Sequence, residues 1–344
     1  MDIRRAFTPL RIAAAGIFIF FAALALMLLW PGSPLSSDKF LLVPDRAHPL
    51  EALVKVPGAK PDKDGGGIYY VDVFERKATL LERLFPQLRK GTTIVEHSDL
   101  TPPGVSDQQR FQADQLDMRL SQQVASAVAL RALGYDVSIR QTGVRVALVY
   151  GGTHATGVLK SGDVIVAAHG RRVTSTIQLH ELLAADKVGD VVPITFVRNG
   201  IRHTVRIKTS RDPFDRTRAI LGIQPQPAIK LHVPFKIKFD LGNVGGPSAG
   251  LAFALQILEA RGRDVDHGYK VAATGEIGAD GSVGEIGGVR QKIFGARQAD
   301  VDVFLVPAGD NYREAKKDAG DVRVIPVKTF QQALHALATL PPKQ

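Results

Sequence analysis

A glycine-rich turn that runs straight into an apolar helix constrains this chain more than any other segment. In Gly245-Gly246-Pro247-Ser248-Ala249-Gly250, the glycines let the backbone turn tightly and approach a neighbour where a Cβ would clash. Pro247 presets φ for a first helical turn. Leu251 to Leu258 continues as an apolar, helix-competent run, so the spacing predicts a packed helix with Ser248 at its N-terminus. Amide groups at such a terminus lack partners. Ser248 is then either an N-cap or a nucleophile whose developing oxyanion those amides hold. Gly245, Gly246, Pro247 and Ala249 shape that turn and its oxyanion-binding backbone.

A second glycine pair weighs on that choice. Val271 to Ile277 reads as a buried strand and Gly278 to Ser282 as a turn. Gly287-Gly288 then opens a helical stretch from Val289 to about Ala299, with Lys292 in its first turn. The positive end of a helix dipole disfavours a further positive charge there. Desolvation acts in the same direction, which brings a lysine toward the range useful to a general base for a serine hydroxyl. A solvated lysine beside Arg290 is the commoner fate of this residue type.

These pieces, together with Ala273-Thr274-Gly275-Glu276-Ile277, Gly281 to Lys292, Ala296 and Phe304-Leu305-Val306-Pro307, carry a resemblance. From about Lys230 to Leu340 the chain resembles the proteolytic domain of the Lon family of serine peptidases. That resemblance implies Ser248 as nucleophile, Lys292 as general base and Thr274 as the residue that positions the lysine. Many full-length relatives carry aspartate where Gly245 stands, so any role of that carboxylate has no counterpart at this position. Gly246-Pro247-Ser248-Ala249-Gly250 also fits the G-x-S-x-G elbow of α/β-hydrolases, with Asp310 and His335 as late triad candidates. An esterase of that class is a rival reading, although Gly242 to Pro247 separates the strand Phe235–Phe239 from the serine.

Gly143 to Thr209 resembles a PDZ domain. Val144 to Val149 alternates as a strand, Leu159 to Ile165 is a turn and strand, and Thr176 to Ala185 suits the flanking helix. Val191–Val197 and Arg202–Ile207 suit a hairpin around Asn199-Gly200. Such domains add an extended chain to a sheet edge, expected here between the strand Val144–Val149 and the helix Thr176–Ala185; a spacer with no ligand is the plainer alternative. Upstream, Ile68 to Val73 reads as a strand, Ala78 to Leu88 as a helix with Leu80, Leu81, Leu84 and Leu88 on one face, and Ser106 to Leu133 as a long helix closed by Gly134. The layout is similar to membrane proteases that combine PDZ and Lon units, which implies a PDZ domain inserted into the protease domain. The expected fold is an α+β Lon-type proteolytic domain with an inserted, mostly β PDZ domain, preceded by one N-terminal transmembrane helix. Its divisions are residues 1–11 as a cytoplasmic tail, 12–30 as a signal anchor, 38–136 as the N-terminal part of the protease region, 143–209 as the PDZ domain and 215–344 as the Lon-like domain.

The anchor follows from the 19 uncharged residues Ile12 to Trp30, roughly 28 Å as a helix and enough to cross a hydrocarbon core. Arg4, Arg5 and Arg11 precede it, so positive-inside bias puts the N-terminus in the cytoplasm and the body outside. A cleaved signal peptide is the alternative, but no Ala-x-Ala site closes the run. The absence of cysteine excludes disulfides and metal–thiolate sites. His97, His154, His169 and His203 lack metal-ligand spacing, so neither metal nor cofactor is expected. The net charge of +10 suits an anionic membrane surface, while no basic run interleaved with aromatics supports nucleic-acid binding. No G-x-x-x-x-G-K-[ST] sequence occurs. The reading is a membrane-anchored, ATP-independent Ser–Lys endopeptidase acting on unfolded or membrane-associated proteins, with a catalytically silent PDZ adaptor for membrane-protein tails as the non-enzymatic alternative. Resemblance implies hexameric rings.

Overall fold

The computed structural model describes residues 9–30, 39–60, 65–212, 215 and 218–343, and leaves the side chains at 9–13, 28 and 87 outside that description. Pro9–Leu29 forms helix α1, and its described side chains stand exposed, Phe18 by 74%. Among the described residues no helix is long and apolar enough to cross a membrane. The anchor expected over 12–30 draws on side chains at 12, 13 and 28 that lie outside the description, as do residues 1–8 of the expected tail. The transmembrane helix is therefore not established by the fold.

The larger body is assembled from both ends of the chain. Strand β1 (Lys39–Pro44) is followed by the short β2 (His48–Pro49), β3 (Gly67–Tyr70), β4 (Val73–Lys77) and β5 (Thr93–Glu96). β1 pairs antiparallel with β4 and β5 in a three-stranded sheet. The central five-stranded sheet takes β2 and β3 and then, from far downstream, β11 (Lys270–Ala273), β12 (Val303–Pro307) and β13 (Arg323–Val327), in the order β2-β3-β11-β12-β13. β3, β11, β12 and β13 run parallel. Parallel strands of this kind are covered on both faces, and side chains alternate between those faces. Val271, Ala273, Val303 and Leu305 join one apolar cluster, while Ala272, Phe304 and Val306 join another on the opposite face. This explains why the Val303–Val306 run is apolar without alternation.

The first face carries the long helix α2 (Asp107–Ala132) and α4 (Gly250–Ala260). The second carries α5 (Val289–Gln298) and α6 (Asp310–Lys317). α4 is buried at every described position but one of its eleven residues, as an all-round apolar helix must be. The expected helix over Ala78–Leu88 is instead a single turn at Leu80–Leu84 and a 3-10 turn at Pro86–Leu88. Pro86 cannot donate within a continuing helix, and Leu84 and Leu88 stay 58% and 59% exposed.

Between α2 and the return to the body lies a second sheet with its own apolar core. It comprises β6 (Ser138–Val149), β7 (Val164–Ala168), β8 (Val191–Arg198), β9 (Ile201–Lys208) and β10 (Ile223–His232), ordered β9-β8-β7-β6-β10, and helix α3 (Thr176–Leu183) packs on it. The β8–β9 turn places Asn199 and Gly200 at φ 51° and 79°, the two left-handed positions that a two-residue hairpin turn needs. The sheet reaches beyond the expected limits of 143–209, because β10 closes it along the full length of β6 from Val149 to Ser138. Pro225 and Pro227 hid that strand in the sequence, since proline is tolerated only where a strand has an open edge. The Val144–Val149 strand expected to accept a substrate segment is therefore interior, flanked by β7 and β10. The ends of the insert meet as an antiparallel ribbon, Ser138 opposite His232.

α5 is held against the N-terminal sheet by backbone proximity. A Cβ on Gly295 would lie 1.9 Å from the Asp45 carbonyl oxygen, and the Ala47 amide donates to the Gly295 carbonyl at 3.1 Å. Gly295→Ala should lower stability by about 1–3 kcal/mol through this overpacking, read as a reduced urea midpoint at unchanged m-value. An unchanged midpoint would show that the Asp45 segment yields freely.

Candidate active site

The Gly245–Gly250 turn is shaped by close approaches. Gly246 has φ +85°, a left-handed conformation open to glycine. A Cβ on Gly245 would come within 2.8 Å of Asp114 Cβ, and one on Gly250 within 2.8 Å of both Ile277 Cγ2 and Ser121 Oγ. α4 starts at Gly250 with Ala249 as its cap, so Ser248 precedes the helix rather than opening it as expected. The Gly246 amide is taken by the Asp114 carbonyl at 2.8 Å. Among the described residues the Ser248 and Ala249 amides donate to no acceptor. These two flank the hydroxyl and can meet a ligand oxygen, whereas the Gly246 amide is taken.

The chain after Ser248 is tied to the end of β11. Thr274, fully buried, donates through Oγ1 to the Ser248 carbonyl at 3.1 Å, and the Gly275 amide donates to the same carbonyl at 2.7 Å. The strand expected to run through Ile277 accordingly stops at Ala273: the Thr274 amide still donates to the Leu305 carbonyl, but the Gly275 amide turns away to the Ser248 carbonyl. Glu276–Ile277 instead pairs with Val283–Gly284 in a small hairpin.

Lys292 arrives from the opposite side. Gly288, at φ +67°, caps α5. Val289, Ile293 and Ala296 form its buried stripe, and Lys292 shares that inward face with 3% exposure. The neighbouring Gln291 is also buried and donates to the Gly91 carbonyl at 2.9 Å and to Thr93 Oγ1 at 2.8 Å, which fixes the helix rotation. Lys292 Nζ lies 2.8 Å from Ser248 Oγ and donates to Thr274 Oγ1 at 3.2 Å. Burial pushes the lysine pKa down to about 7, and the Asp72 carboxylate partly opposes that fall. A cation without full pairing in a dry site gives up its proton instead of staying charged.

Asp72 lies in the two-residue link between β3 and β4. Burial raises its own pKa most, followed by the charge of Asp45, while His48 and Lys292 pull it down. Its Oδ1 is shut off from solvent and has no hydrogen-bond partner, and His48 pairs with Asp45 at 3.3 Å. The sequence did hold a signal for it, a lone acid inside the apolar run Ile68 to Val73, but nothing to connect it with a lysine in the C-terminal third. No histidine among the described residues bonds Ser248; His335 faces solvent on the last helix. His97, His154 and His169 each have a local partner, Asp107 at 2.9 Å, Ser210 at 3.0 Å and Asp186 at 2.9 Å. Glu259, Asp264 and Asp266 gather far along the chain, where they accept the amides of Val265, His267 and Gly268.

Comparison with known proteins accords with this geometry. Residues 221–339 match the Lon protease (S16) C-terminal proteolytic domain, and residues 131–209 match the PDZ domain. Lon protease 2 of Bacillus subtilis is 35% identical over 126 residues, which are 36% of this chain and 21% of that protein. The Lon protease of Chloroflexus aurantiacus is 31% identical over 221 residues, 59% of this chain and 22% of its own length. The chain thus spans about a fifth of these relatives. A solved PDZ domain of an SdrC-like protein from Listeria monocytogenes shares 27% identity, with a TM-score of 0.23, over 24% of this chain and 87% of that one. The chain carries a Lon-type proteolytic domain, a serine-type peptidase unit, together with a PDZ domain.

If Lys292 works as the free amine, kcat/KM should rise with pH through a midpoint near 7, the range to which burial brings the lysine. Asp72→Asn removes the negative charge that favours the ammonium, so that midpoint should move to lower pH. The profile is read on a fluorogenic peptide; a midpoint that stays put or moves up would sever Asp72 from the lysine.

Proposed function

We propose that the chain is a serine endopeptidase that works through a Ser248–Lys292 dyad without ATP, and that its PDZ domain gathers extended or C-terminal substrate segments. The observation that carries this reading is the 2.8 Å approach of a buried amine to the Ser248 hydroxyl. The free amine of Lys292 takes the proton from Ser248 Oγ, and Oγ bonds to the scissile carbonyl carbon. The carbonyl oxygen becomes an oxyanion beside the Ser248 and Ala249 amides. The carbon–nitrogen bond then breaks, and Lys292 returns its proton to the leaving amine. Water repeats the sequence to release the acyl group. Thr274 holds both partners, accepting from Nζ and donating to the Ser248 carbonyl. An elbow hydrolase would need a histidine at Ser248, where the lysine stands.

For the PDZ domain, the support is its separate sheet and apolar core with α3 packed on it. Recruitment there raises local substrate concentration at Ser248 without altering chemistry. A membrane-anchored body outside the cytoplasm is also proposed. It is supported by the apolar α1, whose described side chains are exposed, and by solvent-facing Leu84, Phe85 and Leu88 beside Arg83, Arg89 and Lys90. Exposed apolar groups with a basic rim suit an anionic lipid surface.

Casein should be cleaved without nucleotide. Ser248→Ala and Lys292→Arg should each abolish turnover, since a guanidinium cannot act as base in this range. Activity retained by Lys292→Arg would dispose of the dyad, and a wild-type protein inert on every unstructured substrate would favour the adaptor. Replacing 143–228 by a short Gly/Ser bridge across the paired β6–β10 ribbon should raise KM for protein substrates and leave a short peptide reporter unaffected; unchanged kinetics on both would reduce the PDZ unit to a spacer.

The anchor makes a separate expectation. The full-length protein should stay with membranes through alkaline carbonate washing, and a reporter after Gln344 should be active only outside the cytoplasm. Release by carbonate would refute the anchor.

A further inference from the structure

Ser121 sits in α2, a helix to which the sequence assigned no chemistry. The inward stripe of α2 at this level contains Met118, Val124, Ala125 and Val128, so a hydroxyl among them needs a partner. Ser121 is 5% exposed, and its Oγ donates to the Pro247 carbonyl at 2.9 Å. The same carbonyl accepts the Gly250 amide at 3.3 Å. Two further bonds tie α2 to the turn: the Gly246 amide donates to the Asp114 carbonyl at 2.8 Å, and Gln115 Nε2 donates to the Val244 carbonyl at 3.0 Å.

The consequence lies in peptide geometry. In a planar trans peptide the carbonyl and the following N–H point to opposite sides. Drawing the Pro247 carbonyl toward α2 turns the Ser248 N–H away from α2. That amide has no acceptor among the described residues. An oxyanion donor must be aimed before the charge develops, because a donor that has to reorient during reaction stabilises less. The absence of a side chain at Gly250 is part of the device, since a Cβ there would come within 2.8 Å of the hydroxyl.

We propose that Ser121 is a positioning residue of this site, whose hydroxyl fixes the Pro247–Ser248 peptide plane and so aims the Ser248 amide at the oxyanion. It touches neither substrate nor the reacting atoms. The inference rests on the Ser–Lys peptidase reading, and it concerns only the stabilisation of the tetrahedral state. Substrate affinity in the ground state is outside its reach, so its signature is a loss in kcat at constant KM.

The test uses the full chain and a fluorogenic peptide, with a peptide boronic acid as a tetrahedral mimic. Ser121→Ala should lower kcat about tenfold, the scale of one hydrogen bond, with KM unchanged. The inhibition constant for the boronic acid should rise by a similar factor, and the thermal midpoint should stay within a few degrees. Ser121→Thr, which keeps the hydroxyl, should recover most of the lost kcat. An unchanged kcat in Ser121→Ala overturns the proposal, and so does a fall in kcat with undiminished boronic acid affinity. Ser248→Ala run alongside separates the two levels: if it too keeps full activity, the peptidase reading itself has failed, whereas an inert Ser248→Ala beside an unaffected Ser121→Ala removes only the role of Ser121.

Discussion

A lysine amine shut inside the protein against a serine hydroxyl is the interaction on which the remaining architecture depends. In water the amine would be charged and inert as a base. Only removal from solvent brings its pKa to about 7. That removal is a packing problem, solved by the inward face of α5, where Lys292 stands among Val289, Ile293 and Ala296. Holding α5 at this rotation requires the Gln291 side chain bonded to the 91–93 loop and the glycine contact with the Asp45 backbone. Elements from the first hundred residues therefore set the environment of a lysine in the last sixty. Asp72, from that same N-terminal half, supplies the opposing charge that keeps the fall in pKa moderate.

α2 has the corresponding task for the serine. It grips Val244, Gly246 and Pro247 through Gln115, Asp114 and Ser121, and its next contact along the helix reaches the PDZ sheet. Gln226 of β10 donates to Asp117, whose carboxyl burial raises to about 6, with Asp114 and Glu276 adding to the effect. One helix thus touches both the Ser248 turn and the strand that closes the inserted sheet. The ribbon of β6 and β10 makes the insertion possible without opening the core, because its two ends leave and re-enter the body side by side.

Several elements were legible because their signals are local. The Gly-Gly-Pro turn, the apolar run of α4 and the Asn199-Gly200 hairpin each follow from short-range sterics or periodicity. Departures came where tertiary bonds override local preference. Val271 to Ile277 has strand character throughout, yet the strand ends at Ala273 because Thr274 and Gly275 bond to Ser248. β10 was missed since two prolines mask a strand that needs only one bonded edge. Ala78 to Leu88 carried a helical leucine pattern that Pro86 cuts short.

The sequence by itself singled out the residues proposed to hold the chemistry: Ser248 in a glycine-rich turn, Lys292 after a glycine pair, and Thr274 near a strand end. Tertiary structure alone decided that Nζ and Oγ meet at 2.8 Å, that Asp72 acts on the lysine and Ser121 bonds the Pro247 carbonyl, and that the Ser248 amide has no acceptor among the described residues. The division has a physical cause. Turn and helix propensities act over a few residues, whereas desolvation and hydrogen-bond geometry depend on groups brought together from distant parts of the chain.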